Sequence, residues 1–259
     1  YMKKIKAIFI DIDGTLTNDQ GIIPENVKEV IGKLTAQGIK VIVTSGRNYN
    51  YTKKISQSIN ASSIIIAANG AIAANYETKE IIEQVIMPRV SVQKVLHYCT
   101  THDVGFTMHT KTRQVKINNP KDIIEDVLSL TLTSTNYERM KIMKNMFHDI
   151  IPEVRIANTS KALIENRRMP GSEYFHDIVM GNVSKGTGIV EVLDYLNISK
   201  DEAMSIGDSD NDIAMTLVVG TSIAMGNATE NLKKCSTQVI KSNTEGGLYL
   251  FLKTLVDNN

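Results

Sequence analysis

Cysteine, an excess of either charge and long apolar runs are all scarce in this chain. Two cysteines, Cys99 and Cys235, stand among 259 residues. They lack C-x-x-C spacing and read as reduced packing residues, not as a disulfide scaffold or a metal site. Basic residues number 29 against 28 acidic ones. With no basic stripe carrying interleaved aromatics, this balance argues against nucleic acid as the main partner. The longest apolar stretches, such as Ile64 to Ala68 and Ala7 to Ile10, fall far short of the roughly 20 residues that cross a bilayer. No membrane partner is expected. The N-terminus lacks the apolar centre of a signal peptide, so the expected location is cytoplasmic. Oligomeric state has no signature in the sequence.

Several metal and nucleotide motifs are missing too. Asp208-x-Asp210-x-Asp212 copies the start of an EF-hand loop, but Ile213 and Val219 stand where that loop needs glycine and glutamate. Gly186-Thr-Gly188 has Glu191 in place of a third glycine, which excludes a dinucleotide fingerprint. The five histidines form no H-E-x-x-H pair.

What is present is an alternation of β-branched runs and amphipathic segments. Strands are expected at 5–10, 39–44 and 63–67, with helices at 24–37 and 48–59 between them. Pro24 in a first turn and Gly38 past a last one mark the first helix. The same alternation resumes near residue 185, with helices at 185–196, 210–217 and 245–256 and strands at 203–206, 221–225 and 238–241. Strands apolar at nearly every position belong in a parallel sheet buried on both faces. Residues 80–180 differ. Runs such as Gly105 to Thr110, Arg113 to Asn118 and Glu173 to Met180 alternate polar and apolar, the pattern of an antiparallel sheet covered on one face. Helices at 91–102 and 136–150 supply the cover. The expected fold is α/β: a Rossmann-like parallel-sheet core with helices on both faces, formed by 1–80 and 181–259, and an inserted α+β domain at 81–180.

In an open parallel sheet, ligands bind beyond the carboxyl ends of the strands, and the polar clusters fall there. After the first strand comes Asp11-Ile-Asp13-Gly14-Thr15. Period-two alternation places Asp11 and Asp13 on one side, and Gly14 lets the chain turn away. That closeness suits one carboxylate that attacks and another that shuttles a proton, although a lone D-x-D-G also fits a solvated strand end. After the second strand, Thr44-Ser45-Gly46-Arg47 offers a hydroxyl, free amides and a guanidinium to anionic oxygens. Asn69-Gly70 follows the third, Ser184-Lys185-Gly186 opens a helix, and Gly207-Asp208-Ser209-Asp210-Asn211-Asp212 follows a later strand.

Taken together, in order and spacing, these segments resemble the four signature motifs of the haloacid dehalogenase-like phosphohydrolases. Asn69-Gly70-Ala71 and Met225-Gly226-Asn227-Ala228 resemble the Cof-type branch, whose large α/β cap is inserted where residues 81–180 lie. Ser45 stands where threonine is usual, and the hydroxyl is kept.

The resemblance implies an Mg²⁺-dependent phosphatase of small phosphorylated metabolites, with sugar phosphates the expected class. Asp11 would be the nucleophile that becomes an aspartyl-phosphate, and Asp13 the acid and base. Lys185 would complete the catalytic set. Ser45, Gly46, Arg47, Asn69 and Asn211 would contact phosphate or substrate. Asp11, Asp208 and the main-chain carbonyl of Asp13 would hold the metal, with Asp212 orienting them. His109, Lys111, Arg113 and His176 are the cap's candidates for choosing the leaving group. A phosphomutase or phosphotransferase could use the same intermediate. A non-catalytic metabolite-binding protein would be free to lose Asp11, Asp13 or Lys185, and all three are present.

Overall fold

The computed structural model describes residues 4–115, 125–161 and 174–258. Its central strand is β1 (Ala7–Ile10), every residue of which is fully buried. With no polar position to face water, such a strand needs apolar partners on both sides. Ile8 and Ile10 pack to one side and Ala7 and Phe9 to the other. On the first side lies α1 (Glu25–Ala36), which buries Val27, Val30, Ile31 and Leu34. That spacing is one stripe of a helix.

β2 (Lys40–Thr44), α2 (Tyr49–Ser58) and β3 (Ile64–Ala67) follow. A hairpin of β4 (Ile72–Asn75) and β5 (Glu80–Gln84) then pairs antiparallel on β3. The chain returns to this sheet through α5 (Lys185–Leu196), β11 (Ala203–Gly207), α6 (Ile213–Thr216), β12 (Thr221–Ala224), α7 (Glu230–Cys235), β13 (Gln238–Val239) and α8 (Gly247–Asp257). The strand order is β13-β12-β11-β1-β2-β3-β4-β5. All pairings from β13 to β3 are parallel. The expected helix at 210–217 is instead a short 3-10 turn, Asp210–Asp212, followed by α6.

Between these two runs lie α3 (Arg89–Thr101), β6 (Gly105–Thr110), β7 (Gln114–Val115), β8 (Val127–Ser134), α4 (Tyr137–Ile150), β9 (Val154–Lys161) and β10 (Tyr174–Met180). Their strands form a second, antiparallel sheet in the order β7-β6-β8-β10-β9. Of the strand expected over Arg113 to Asn118, residues 116–118 lie outside the described residues. Leu130, Leu132 and Ile178 turn to one face, where α3 and α4 bring Val92, Leu96, Met140, Met143 and Phe147. The opposite face carries Thr107, His109, Ser129, Thr131 and Asp177. It lies toward the first sheet, and Leu128 and Val179 join Ala67, Ala71 and Ile72 in a shared apolar cluster. Cys99 is buried and Cys235 exposed, both unpaired. Among the described residues no helix is long and apolar enough to cross a membrane.

Phe9 fills the α5 side of the first sheet against Ile42, Ile66, Ile189 and Val192. Phe9→Ala is expected to cost about 3–5 kcal/mol, read as a lower urea midpoint at unchanged slope; a loss under 1 kcal/mol would contradict this packing.

Candidate active site

Four strand ends and one helix start converge on a buried ion cluster. Asp11 continues β1 with extended backbone, φ −71° and ψ 162°, and its N–H donates to the Ile206 carbonyl at 3.0 Å. The chain then turns at Gly14, φ +84°, where a Cβ would lie 2.3 Å from Asp208 Oδ2. Only glycine meets both demands. Thr15 Oγ1 donates to Asp208 Oδ1 at 3.1 Å, tying the two loops together.

Lys185 is the first residue of α5, behind a capping box formed by Ser184 and Thr187. A cation at a helix N-terminus opposes the helix dipole, and this one is only 2 % exposed. Two carboxylates offset that cost: Nζ lies 2.5 Å from Asp11 Oδ1 and 2.6 Å from Asp212 Oδ1. Gly186 lets the helix start come this close, because a Cβ there would meet the Ala214 carbonyl at 2.2 Å. Asp212 is fully buried, and its Oδ2 accepts from the N–H groups of Asp208 at 2.9 Å and Ser209 at 3.0 Å. It thereby fixes the loop that presents Asp208.

One carboxylate oxygen from each of Asp11, Asp208 and Asp212 lies within 4.8 Å of the other two, a group able to hold a metal ion. Negative charge is in surplus there. Burial raises the Asp11 pKa well above the usual carboxylate range, against the pull of Lys185 and with the help of Asp212 and Asp208. Burial and Asp212 likewise push Asp208 up to about 7. Burial works against the charge on Lys185, yet Asp11 and Asp212 outweigh it and keep the ammonium above its ordinary range.

The other expected residues ring this cluster. Ser45 Oγ accepts from the Arg47 N–H at 3.1 Å, and the Asn69 N–H donates to the Ser45 carbonyl at 3.0 Å. Asn211 Nδ2 donates to Asn69 Oδ1 at 3.1 Å. Asn69 Nδ2 and Asn211 Oδ1 are buried and lack a hydrogen-bond partner among the described residues. Asp13 does not join the three-carboxylate group: Arg47 Nε and Nη2 each donate to one of its oxygens at 2.8 Å. The pair is partly exposed, 39 % for Asp13 and 45 % for Arg47. Asp210 accepts from Thr229 Oγ1 at 2.6 Å, at the edge of the loop.

Of the four cap candidates, only His109 lies on the sheet face turned toward the core. His176 points the other way, under α4, with Nε2 2.8 Å from the Met140 carbonyl. Arg113 pairs with Glu125 at the surface, and the Lys111 ammonium lies over the Tyr49 ring at 5.7 Å. Thr131 and Asp177 share the His109 face and were not read from the sequence; period-two alternation within β10 does separate Asp177 from His176. Asn227 Nδ2 donates to the Gly14 carbonyl at 2.9 Å, and Asn227 Oδ1 accepts from the Asn243 N–H at 3.0 Å. That pair braces the first loop from the far end of the chain.

The sequence profile of the haloacid dehalogenase-like hydrolases matches residues 8–252. The chain belongs to this family. Among curated members, it is 25 % identical over 269 residues to the Bacillus subtilis 5-amino-6-(5-phospho-D-ribitylamino)uracil phosphatase YitU, covering 95 % of this chain and 96 % of that one. A putative phosphatase of Buchnera aphidicola subsp. Schizaphis graminum is 28 % identical, with coverages of 98 % and 97 %. The family fold recurs in a haloacid dehalogenase-like hydrolase from Bacteroides thetaiotaomicron, with a TM-score of 0.83 at 20 % identity and coverages of 97 % and 100 %. It recurs also in a subclass IIB sugar phosphatase of the superfamily, with a TM-score of 0.76 at 24 % identity and coverages of 96 % and 98 %.

The raised acids give a pH signature to the hydrolase without metal. Asp208 moves from 3.8 to about 7 on folding, so between those values the folded state binds more protons than the unfolded one. This contribution to stability falls as pH rises through the window. The melting temperature of metal-free protein is expected to drop by several degrees from pH 5 to pH 8, and Asp208→Asn to flatten that slope; equal slopes in both proteins, by scanning calorimetry, would contradict the electrostatics.

Proposed function

We propose that this hydrolase is an Mg²⁺-dependent phosphatase of small phosphorylated metabolites, with sugar phosphates the leading class, working through an aspartyl-phosphate. The observation that carries the reading is the buried Asp11–Lys185–Asp212 arrangement beside Asp208. A nucleophile, a cation and metal-ligating oxygens meet there at the strand ends. Curated relatives named as phosphatases support it.

Hydrolysing a phosphate monoester calls for a barrier reduction on the order of 20 kcal/mol, most of it from positioning and charge stabilisation. Lys185 occupies Oδ1 of Asp11 and leaves Oδ2 to attack phosphorus. The Asp11–phosphorus bond forms as the ester bond breaks, and Asp13 protonates the departing oxygen. Asp13 then takes a proton from the water that attacks the phosphoenzyme, which releases inorganic phosphate and restores Asp11. The Ser45 hydroxyl and the Gly46 amide bind phosphoryl oxygens, and Lys185 holds the charge on Asp11 and on the phosphate.

The acids fit a divalent cation: three carboxylates face one lysine, and burial together with their mutual repulsion raises Asp11 and Asp208. Asp11, Asp208 and the Asp13 carbonyl would hold Mg²⁺, a hard ion suited to oxygen ligands, with Asp212 orienting Asp208. When bound, the ion neutralises the acids and stabilises the charge that develops on the phosphoryl group.

Asp11→Asn is expected to lower turnover of 4-nitrophenyl phosphate by about a thousandfold or more with an unchanged circular dichroism spectrum; full activity would sink the assignment. In Asp13→Asn a phosphoenzyme should form slowly and persist, detected by intact-protein mass, whereas wild-type turnover there would remove Asp13 from proton transfer. EDTA should silence the enzyme and Mg²⁺ restore it. Release of inorganic phosphate, as opposed to isomerised sugar phosphate, separates hydrolysis from mutase chemistry.

A further inference from the structure

The face of the cap sheet turned toward the core is polar where a buried surface is ordinarily apolar. Thr107, His109 and Ser129 are all buried there, His109 to 9 % exposure. Three of its residues form a directed chain. Thr131 Oγ1 donates to Asp177 Oδ1 at 2.9 Å, and His109 Nε2 lies 2.7 Å from the same Thr131 oxygen. The threonine has one proton, and a carboxylate can only accept it. The imidazole must therefore donate from Nε2, which leaves Nδ1 as an acceptor.

That Nδ1 is buried and has no hydrogen-bond partner among the described residues. Burial and nearby Arg47 push His109 down to about 4, so the ring stays neutral. Desolvation raises Asp177, while Thr131, Arg47, Asn69 and Lys185 favour its charged form. The Asn69 amide lies near enough to act on Asp177 without reaching hydrogen-bond geometry. Both ends of the chain thus face the residues that surround Asp11.

Building on the phosphatase reading, we propose that His109, Thr131 and Asp177 select the leaving group. They present acceptors to the hydroxyl groups of a neutral polyol or sugar whose phosphate lies at Asp11. Buried acceptors need donors, because an unmet one keeps its full desolvation cost. Arg47 and Lys185 disfavour an ammonium donor, and Asp177 disfavours a second anion. Hydroxyl groups satisfy both conditions.

The test compares glucitol 6-phosphate with hexyl phosphate, which has the same carbon count and no hydroxyl groups. Wild-type enzyme is expected to prefer the polyol ester in kcat/KM. His109→Phe, Thr131→Val and Asp177→Asn should each lower that preference by about tenfold to a hundredfold, mainly through KM. No wild-type preference, or a ratio unchanged in all three variants, overturns the proposal. Thr131→Val is nearly isosteric and guards against a variant that does not fold. Calorimetric binding of both esters to Asp11→Asn protein, with and without each cap substitution, reads the same preference without turnover. Selective binding with no hydrolysis by the wild type would strike down the phosphatase reading alone; hydrolysis without selectivity would strike down the cap assignment alone.

Discussion

A buried ammonium held between two buried carboxylates is the constraint on which the rest of the site depends. Lys185 sits at the positive end of a helix, out of water and against the dipole, and stays charged only because Asp11 and Asp212 contact it. The dependence is mutual. Removing one partner of such an arrangement costs about 3–5 kcal/mol, because an uncompensated charge is left in the interior. Three parts of the chain far apart in sequence are therefore locked to one point: the end of β1, the start of α5 and the loop after β11. Asp212 extends the lock through its second oxygen to the amides that aim Asp208. One lysine does not balance three carboxylates: burial above all, and then their mutual repulsion, raises the pKa values of Asp11 and Asp208.

The core was readable because its physics is local. A strand such as Ala7–Ile10, apolar at each position, has no exposed edge to hide, and helix 185–196 carries its own cap in Ser184 and Thr187. Polar clusters after such strands have one place to go, the carboxyl edge of the sheet. Strand β4 escaped because Ala73 and Ala74 give little β signal; burial against the cap and α5 makes that segment a strand. The Asp13–Arg47 fork escaped for another reason. Which carboxylate a guanidinium finds depends on loop geometry that no spacing encodes.

In the cap, residue type does not rank the candidates, and register does. His109 and His176 look alike as candidates, yet β10 turns His176 toward α4 and Asp177 toward the core. Thr131 acquires its place only through pairing of β8 with β6 and β10, opposite Thr107 and Asp177. Long-range pairing, not composition, assembles this polar face. The same sheet serves two ends: Leu130, Leu132 and Ile178 hold the cap together on one side, and the other side carries the polar residues proposed to meet the leaving group.

The Asp13–Arg47 fork links recognition to chemistry. Both oxygens of Asp13 are engaged by Arg47, so a proton-transferring Asp13 must give up at least one of these bonds. A phosphate ester is a rival oxyanion for the same guanidinium, whose planar donors suit either partner. The pair is partly exposed, so an arriving ester can reach the guanidinium, and an oxyanion that replaces Asp13 recovers the same two-bond geometry. On the proposed mechanism, arrival of the ester at Arg47 is then the event that frees the Asp13 carboxylate, which takes up a proton from solvent or from the monoanionic ester and passes it to the leaving oxygen. Arg47 also lies near His109 and Asp177, so the side chain that releases the acid adjoins the cap residues that face the leaving group.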